Sequence, residues 1–174
     1  MEQAIRQALD GFFRDSEQKA YLMAIALTKN HHDALELVQD SMLKLVQKYH
    51  RRDPEEWGPL FYRILQNSIR DWFRKQKFRQ VLTGLMPWQV DTAESAKVAP
   101  SAEDQLRLDD ELLRVISALN QLPMRQQQTF LMRAWQEFST RETAFALSIS
   151  ENSVKTHYAR ATQQLRRILG DEDG

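Results

Sequence analysis

Cysteine is missing from all 174 residues of this chain, which removes disulfide staples, thiolate nucleophiles and thiolate metal ligands. Glycine and proline occur only five times each, too rarely for the turn-punctuated pattern of a many-stranded β domain, and no internal repeat is present. No apolar run reaches the roughly 18 residues that a membrane span needs. The N-terminus, with Glu2 and Arg6, lacks a secretory pattern, so a cytoplasmic protein is expected. Glycine-rich phosphate loops, a nucleophile elbow and spaced carboxylate pairs are also lacking. His31, His32 and Asp33 are adjacent, so on a helix their side chains diverge by about 100° each, and no second ligand cluster accompanies them. These absences argue against an enzyme and against a metal or other cofactor.

What remains is 42% hydrophobic and 28% charged, the composition of a soluble protein able to bury one or two cores. The most informative stretch is the last third. Ser139 with Glu142 three positions later has the form of a capping box, so a helix starts there, carries Ala144 and Leu147 inward and ends near Ser148. Ile149 then plugs the core at the turn while Ser150 caps a second helix. In that helix Val154, Tyr158, Ala161, Leu165 and Ile168 form the buried stripe. Asn152, Lys155, Thr156, Ala159 and Arg160 face outward, a set able to reach base edges and phosphates. This is the spacing of a helix-turn-helix. Leu122-Pro123 marks a boundary upstream, Phe130, Leu131, Ala134 and Trp135 pattern as a helix packed on the motif, and Leu108, Leu112, Val115, Ile116 and Leu119 pattern as another.

The N-terminal half has a different signature. At 100° per residue Arg63, Asn67, Arg70, Arg74 and Lys77 fall within an arc of about 80°, opposite Phe61, Ile64, Leu65, Ser68 and Trp72. Residues 63–79 hold six basic side chains against Asp71 alone, so the stripe fits a phosphate backbone and its binding should fall steeply with salt. Trp57, Phe73 and Phe78 lie in or beside it, and aromatic faces next to cations stack the bases of an opened strand. Trp72 points to the apolar side and reads as core. Before this segment, Leu35, Val38, Met42, Leu45 and Tyr49 form the inner side of a long helix whose outer face carries Asp33, Glu36, Gln39 and Asp40. Ile5, Ala8, Leu9, Phe12 and Phe13 make one further apolar stripe and Tyr21, Ile25 and Thr28 another, so the expected fold is all-α. Asp53-Pro54-Glu55-Glu56 reads as a short helical turn that Gly58-Pro59 stops. The formal net charge is zero because residues 91–111 carry seven acids against two bases; residues 84–100, aperiodic and poor in apolar side chains, read as a linker.

Residues 119–169, through Leu122-Pro123, Arg125, Glu142, Ala144, Leu147, Ile149-Ser150, Val154-Lys155, Arg160-Ala161 and Leu165-Arg166, resemble the promoter-binding C-terminal domain of bacterial sigma factors. The segment from Asp33 to Asp40, with Phe61-Tyr62-Arg63-Ile64 and Asn67, resembles the sigma domain that docks on the polymerase clamp and melts the minus-ten element. Two such domains in this order, with no middle domain, resemble the extracytoplasmic-function sigma factors.

The resemblance implies a region 2-like domain over residues 1–83, a linker over 84–100 and a region 4-like domain over 101–174. It implies core-polymerase contact through Asp33, Glu36, Gln39 and Asp40. Asn67, Arg70 and Arg74, with Arg63, Phe73 and Lys77 on the same segment, would hold the minus-ten strand, and the loop over residues 50–58 would capture a flipped base. Asn152, Lys155, Thr156, Ala159 and Arg160 would read the minus-thirty-five element. Core polymerase, promoter DNA and an anti-sigma factor are the implied partners, with no membrane.

The chain departs from the family pattern at several positions. Ser148 stands where a glycine usually ends the helix, at a cost of about 1 kcal/mol. Thr143 replaces an aliphatic residue, His157 and Ala159 replace Arg and a larger side chain, and Glu36 replaces Asp. A stand-alone helix-turn-helix regulator that binds operators as a dimer is the competing reading, and the basic aromatic segment at residues 63–79 separates the two.

Overall fold

The computed structural model describes residues 1–85 and 110–172, and every regular element among them is helical. The assigned linker beyond residue 85, and the expected inward Leu108, lie outside the described residues. The elements are α1 (Glu2–Thr28), α2 (His31–Tyr49), α3 (Pro54–Leu85), α4 (Asp110–Asn120), α5 (Met124–Phe130), α6 (Thr140–Leu147) and α7 (Glu151–Glu172), with a π-helical turn at Leu131–Trp135. No helix among the described residues is long and apolar enough to cross a membrane.

The two N-terminal stripes belong to one helix, α1, which runs through Gly11 without a break. It stops where Lys29 takes a left-handed conformation, φ 56°, and returns its N–H to the Ile25 carbonyl. Asn30 then caps α2, its side-chain oxygen accepting from the Asp33 N–H at 3.0 Å. α2 starts two residues earlier than its apolar periodicity alone suggests. Asp53 receives the Glu55 N–H at 3.3 Å and Pro54 takes the first helical position of α3.

The expected stop at Gly58-Pro59 does not occur, and α3 continues for 32 residues to Leu85. Pro59 falls in the second turn, where only one backbone bond is lost. Burial of Trp57, Leu60, Phe61 and Leu65 against α1 and α2 outweighs that loss. Phe61 sits at the centre, with ring centroids 5.8 Å from Phe12, 6.2 Å from Phe13 and 5.1 Å from Tyr62. Leu35, expected inward, is 39% exposed, and Ala8 is also exposed.

α4 to α7 pack around the inner stripe of α7, in which Val154, Ala161 and Leu165 are buried. The π-helical turn changes the phase expected for residues 130–135: the Gln136 N–H reaches the Leu131 carbonyl, one residue further than an α-helix allows. Met132 thereby becomes fully buried and Ala134 exposed, the reverse of the α-periodic reading for Ala134.

Thr143 on α6 is 0% exposed and its hydroxyl has no hydrogen-bond partner. Thr143→Val keeps the shape and removes the orphaned polar group, so urea unfolding should show a gain of about 1–2 kcal/mol. A loss of stability would mean that the hydroxyl is satisfied in solution.

Candidate nucleic-acid and docking surfaces

The helix-turn-helix is built from local hydrogen bonds. Ser139 Oγ accepts the Glu142 N–H at 3.0 Å while the Ser139 N–H donates to Glu142 Oε1 at 2.9 Å, closing the capping box. α6 ends at Ser148, left-handed at φ 57° and ψ 45°, and the Ile149 N–H returns to the Ala144 carbonyl at 3.1 Å. Arg125 reaches across from α5 to the Leu147 carbonyl at 3.3 Å, placing a cation at the C-terminus of α6. Ser150 Oγ accepts the Ser153 N–H at 3.0 Å and starts α7. Against the back of α7, Phe130 stacks on Tyr158 with a centroid separation of 6.0 Å, and the Arg133 guanidinium lies over the same tyrosine ring.

With that side fixed, Asn152, Lys155, Thr156, Ala159 and Arg160 are all exposed on the other. At 1.5 Å per residue they extend over about 12 Å, close to the width of a major groove. Ala159 carries no polar atom and can meet only an apolar group such as a thymine methyl.

The cationic stripe of α3 is divided. Asn67, Arg74 and Lys77 are exposed, whereas Arg63 and Arg70 are half-buried where α3 meets the C-terminal helices. Arg63 donates from Nη2 to Ser148 Oγ at 2.8 Å, and its guanidinium lies 5.4 Å from the centre of the Phe145 ring. Arg70 Nε is buried without a partner, in a groove it shares with Leu27, Phe73 and Met124. Arg74 pairs with Asp71 at 3.8 Å, but both are well exposed, so water screens the pair. Phe73 and Phe78 are 37% and 64% exposed and present ring surface to solvent. Trp57 does not. It is 2% exposed and donates its indole N–H to the Tyr49 carbonyl, which corrects the expectation that it stacks on bases. The loop assigned to capture a base is also shorter than expected, because helix α3 occupies its second half from Pro54. Trp72, expected in the core, is half-buried and donates to Asp33 Oδ2 at 2.8 Å.

That bond ties the half-buried Asp33 to α3, whereas Glu36, Gln39 and Asp40 are exposed together on α2. Leu35 and Leu43, at 39% and 56% exposure, flank Gln39 one turn to either side. Sequence periodicity placed Leu35 inward and left Leu43 unassigned; the signal available was Leu43 lying off the stripe of Val38, Met42, Leu45 and Tyr49. The exposed face of α2 therefore combines carboxylates with two leucines, a composition suited to a protein partner. His32, Asp33 and Glu36 bring ligand-type atoms within 4.8 Å of one another, but Asp33 is already engaged by Trp72.

The two halves meet mainly through α3, with a smaller contribution from α1. Tyr62 packs edge-on against Phe138 at 5.6 Å, and a Cβ on Gly58 would lie 3.4 Å from the same ring. Burial pushes the Tyr62 phenol above its ordinary range, while a hydrogen bond with Gln136 acts in the opposite direction.

Residues 12–79 match the Sigma-70 region 2 family and residues 112–165 match Sigma-70, region 4. The RNA polymerase sigma factor SigV of Bacillus subtilis is 30% identical over 91% of this chain and 89% of its own length. The ECF RNA polymerase sigma factor SigX of the same organism is 29% identical over 97% of this chain and 85% of its own. In fold, the chain is similar to CnrH, solved in complex with the cytosolic domain of CnrY (TM-score 0.70, 21% identity, 99% of this chain and 96% of that one). It is also similar to RpoE of Bartonella quintana, solved with the anti-sigma factor NepR (TM-score 0.63, 20% identity, 97% of this chain and 96% of that one).

Proposed function

The chain belongs to the extracytoplasmic-function sigma factors, RNA polymerase subunits of the sigma-70 family, and on that premise we propose how its surfaces divide the work of promoter recognition and opening. Residues 1–83 act on the core enzyme and the minus-ten element, residues 84–100 connect, and residues 101–174 act on the minus-thirty-five element. The exposed face of Glu36, Gln39 and Asp40, extended by Leu35 and Leu43, docks on core polymerase. Asp33 supports that face by fixing α2 against Trp72. Asn152, Lys155, Thr156, Ala159 and Arg160 read the upstream duplex. Asn67, Phe73, Arg74 and Lys77, joined by Arg63 and Arg70 when those are released, hold the separating strand. The protein performs no covalent chemistry, needs no cofactor and works in the cytoplasm. Because similar folds have been solved with CnrY and with the anti-sigma factor NepR, we include an anti-sigma factor among the partners.

One observation carries this reading above a dimeric operator binder. A capped helix-turn-helix and an exposed cationic, aromatic helix face occur in the same chain, and a regulator that only binds duplex DNA has no use for the second. Arg74→Ala tests it. The variant holoenzyme should still bind the closed promoter, while permanganate reactivity of the minus-ten thymines falls several-fold and the salt slope drops by about one. Unchanged permanganate reactivity would remove the strand-holding role from this face.

A further inference from the structure

Ser148 is the residue where this chain gives up glycine at a left-handed helix end, and its hydroxyl accepts from a cation 85 positions away in sequence. We propose that Ser148 and Phe145 form a latch that holds the free protein closed by capturing Arg63, one of the strand-holding cations. This rests on the assignment of Arg63 for its functional consequence, and on geometry alone for the closure itself.

Three features of the contact support a latch. The Arg63 guanidinium makes two contacts on α6, with Ser148 Oγ at 2.8 Å and the Phe145 ring at 5.4 Å, so both its hydrogen-bonding edge and its face are engaged. A non-glycine residue at φ 57° is strained, and the hydroxyl that glycine would lack is the atom that receives Arg63. The same interface is incompletely satisfied. Gln66 is 3% exposed with neither end of its amide partnered, and Arg70 Nε beside it is also buried and alone. Orphaned groups of this kind lower the stability of the closed state, so a partner that binds the open form better can open it.

The absence of native cysteine permits a direct test. Spin labels on Glu17→Cys in α1 and Gln164→Cys in α7, both exposed, report the separation of the two halves in the free full-length protein. The latched chain should give one narrow distance distribution. Ser148→Gly and Ser148→Ala should each raise the population at longer distances by about 3- to 10-fold, and Phe145→Ala should do the same. Glycine relieves the backbone strain and raises the unfolding midpoint, whereas alanine keeps the strain. Opening in both variants therefore follows the hydroxyl and not stability. A broad distribution in the unsubstituted chain, or opening with glycine only, overturns the latch. The measurement contains neither polymerase nor DNA, so its failure leaves the assignment of the promoter-binding surfaces standing.

Discussion

Alanine at both Lys155 and Arg160 will weaken holoenzyme binding to its upstream element by about 2–6 kcal/mol, from about 1–3 kcal/mol for each base-reading or phosphate-binding side chain. The two residues are exposed and lie five apart on α7, about 140° around the helix axis from each other, so their losses should add to within a few tenths of a kcal/mol. Both project from a helix whose buried side is held by Val154, Ala161 and Leu165, so the substitutions leave the fold intact. Competition binding against promoters altered one base pair at a time separates the two roles. A side chain that reads a base relaxes preference at one position when removed, whereas one that holds phosphate lowers affinity for every sequence and reduces the salt slope by about one. Loss of less than twofold for the double variant would mean that α7 is not the reading helix.

Phe61→Ala should have an effect of similar size on folding. The side chain is fully buried among Phe12, Phe13 and Tyr62, and truncation to alanine leaves a cavity that three other aromatic rings cannot fill without leaving their positions. Losses of about 3–5 kcal/mol are typical of such sites, a large part of the 5–15 kcal/mol that holds an ordinary domain folded. Urea unfolding followed by tryptophan emission reports it, since Trp57 is buried in the same cluster. Phe61→Leu retains most of the volume and should recover more than half of the loss. Equal destabilisation by both would place the aromatic contacts, not the cavity, in control.

Local hydrogen bonding made much of this molecule legible in the sequence. Ser139 with Glu142 and Ser150 with Ser153 satisfy backbone donors a few residues away, so residue type and spacing were enough to locate both helix starts. The outward face of α7 followed from a strict period, because one side of that helix is buried along most of its length. The misread positions depend on packing between distant segments. Pro59 continues the helix because neighbouring side chains are buried against α1 and α2, a gain that no local signal contains. The π-helical turn moved Ala134 out and Met132 in, and a period of 3.6 cannot anticipate an added residue per turn. Trp57 follows the same rule: beside a basic segment an indole looks ready to stack, yet its neighbours in space are Phe12 and the Tyr49 carbonyl.

The division of the α3 stripe was hidden for another reason. Helical projection gives Arg63, Asn67, Arg70, Arg74 and Lys77 one shared face, and the sequence alone does not tell which part of that face a second set of helices covers. Ser148 was visible as a departure from glycine, but its partner lies 85 residues upstream.

Run-off transcription with purified bacterial core polymerase and a library of promoters tests the central claim, that one short chain both selects duplex promoter DNA and holds the strand as it opens. Adding the protein should produce core-dependent transcripts from templates sharing an upstream element, and Lys155→Ala with Arg160→Ala should abolish that selectivity. No transcript under any template, with the protein alone footprinting a symmetric site as a pair, would contradict it.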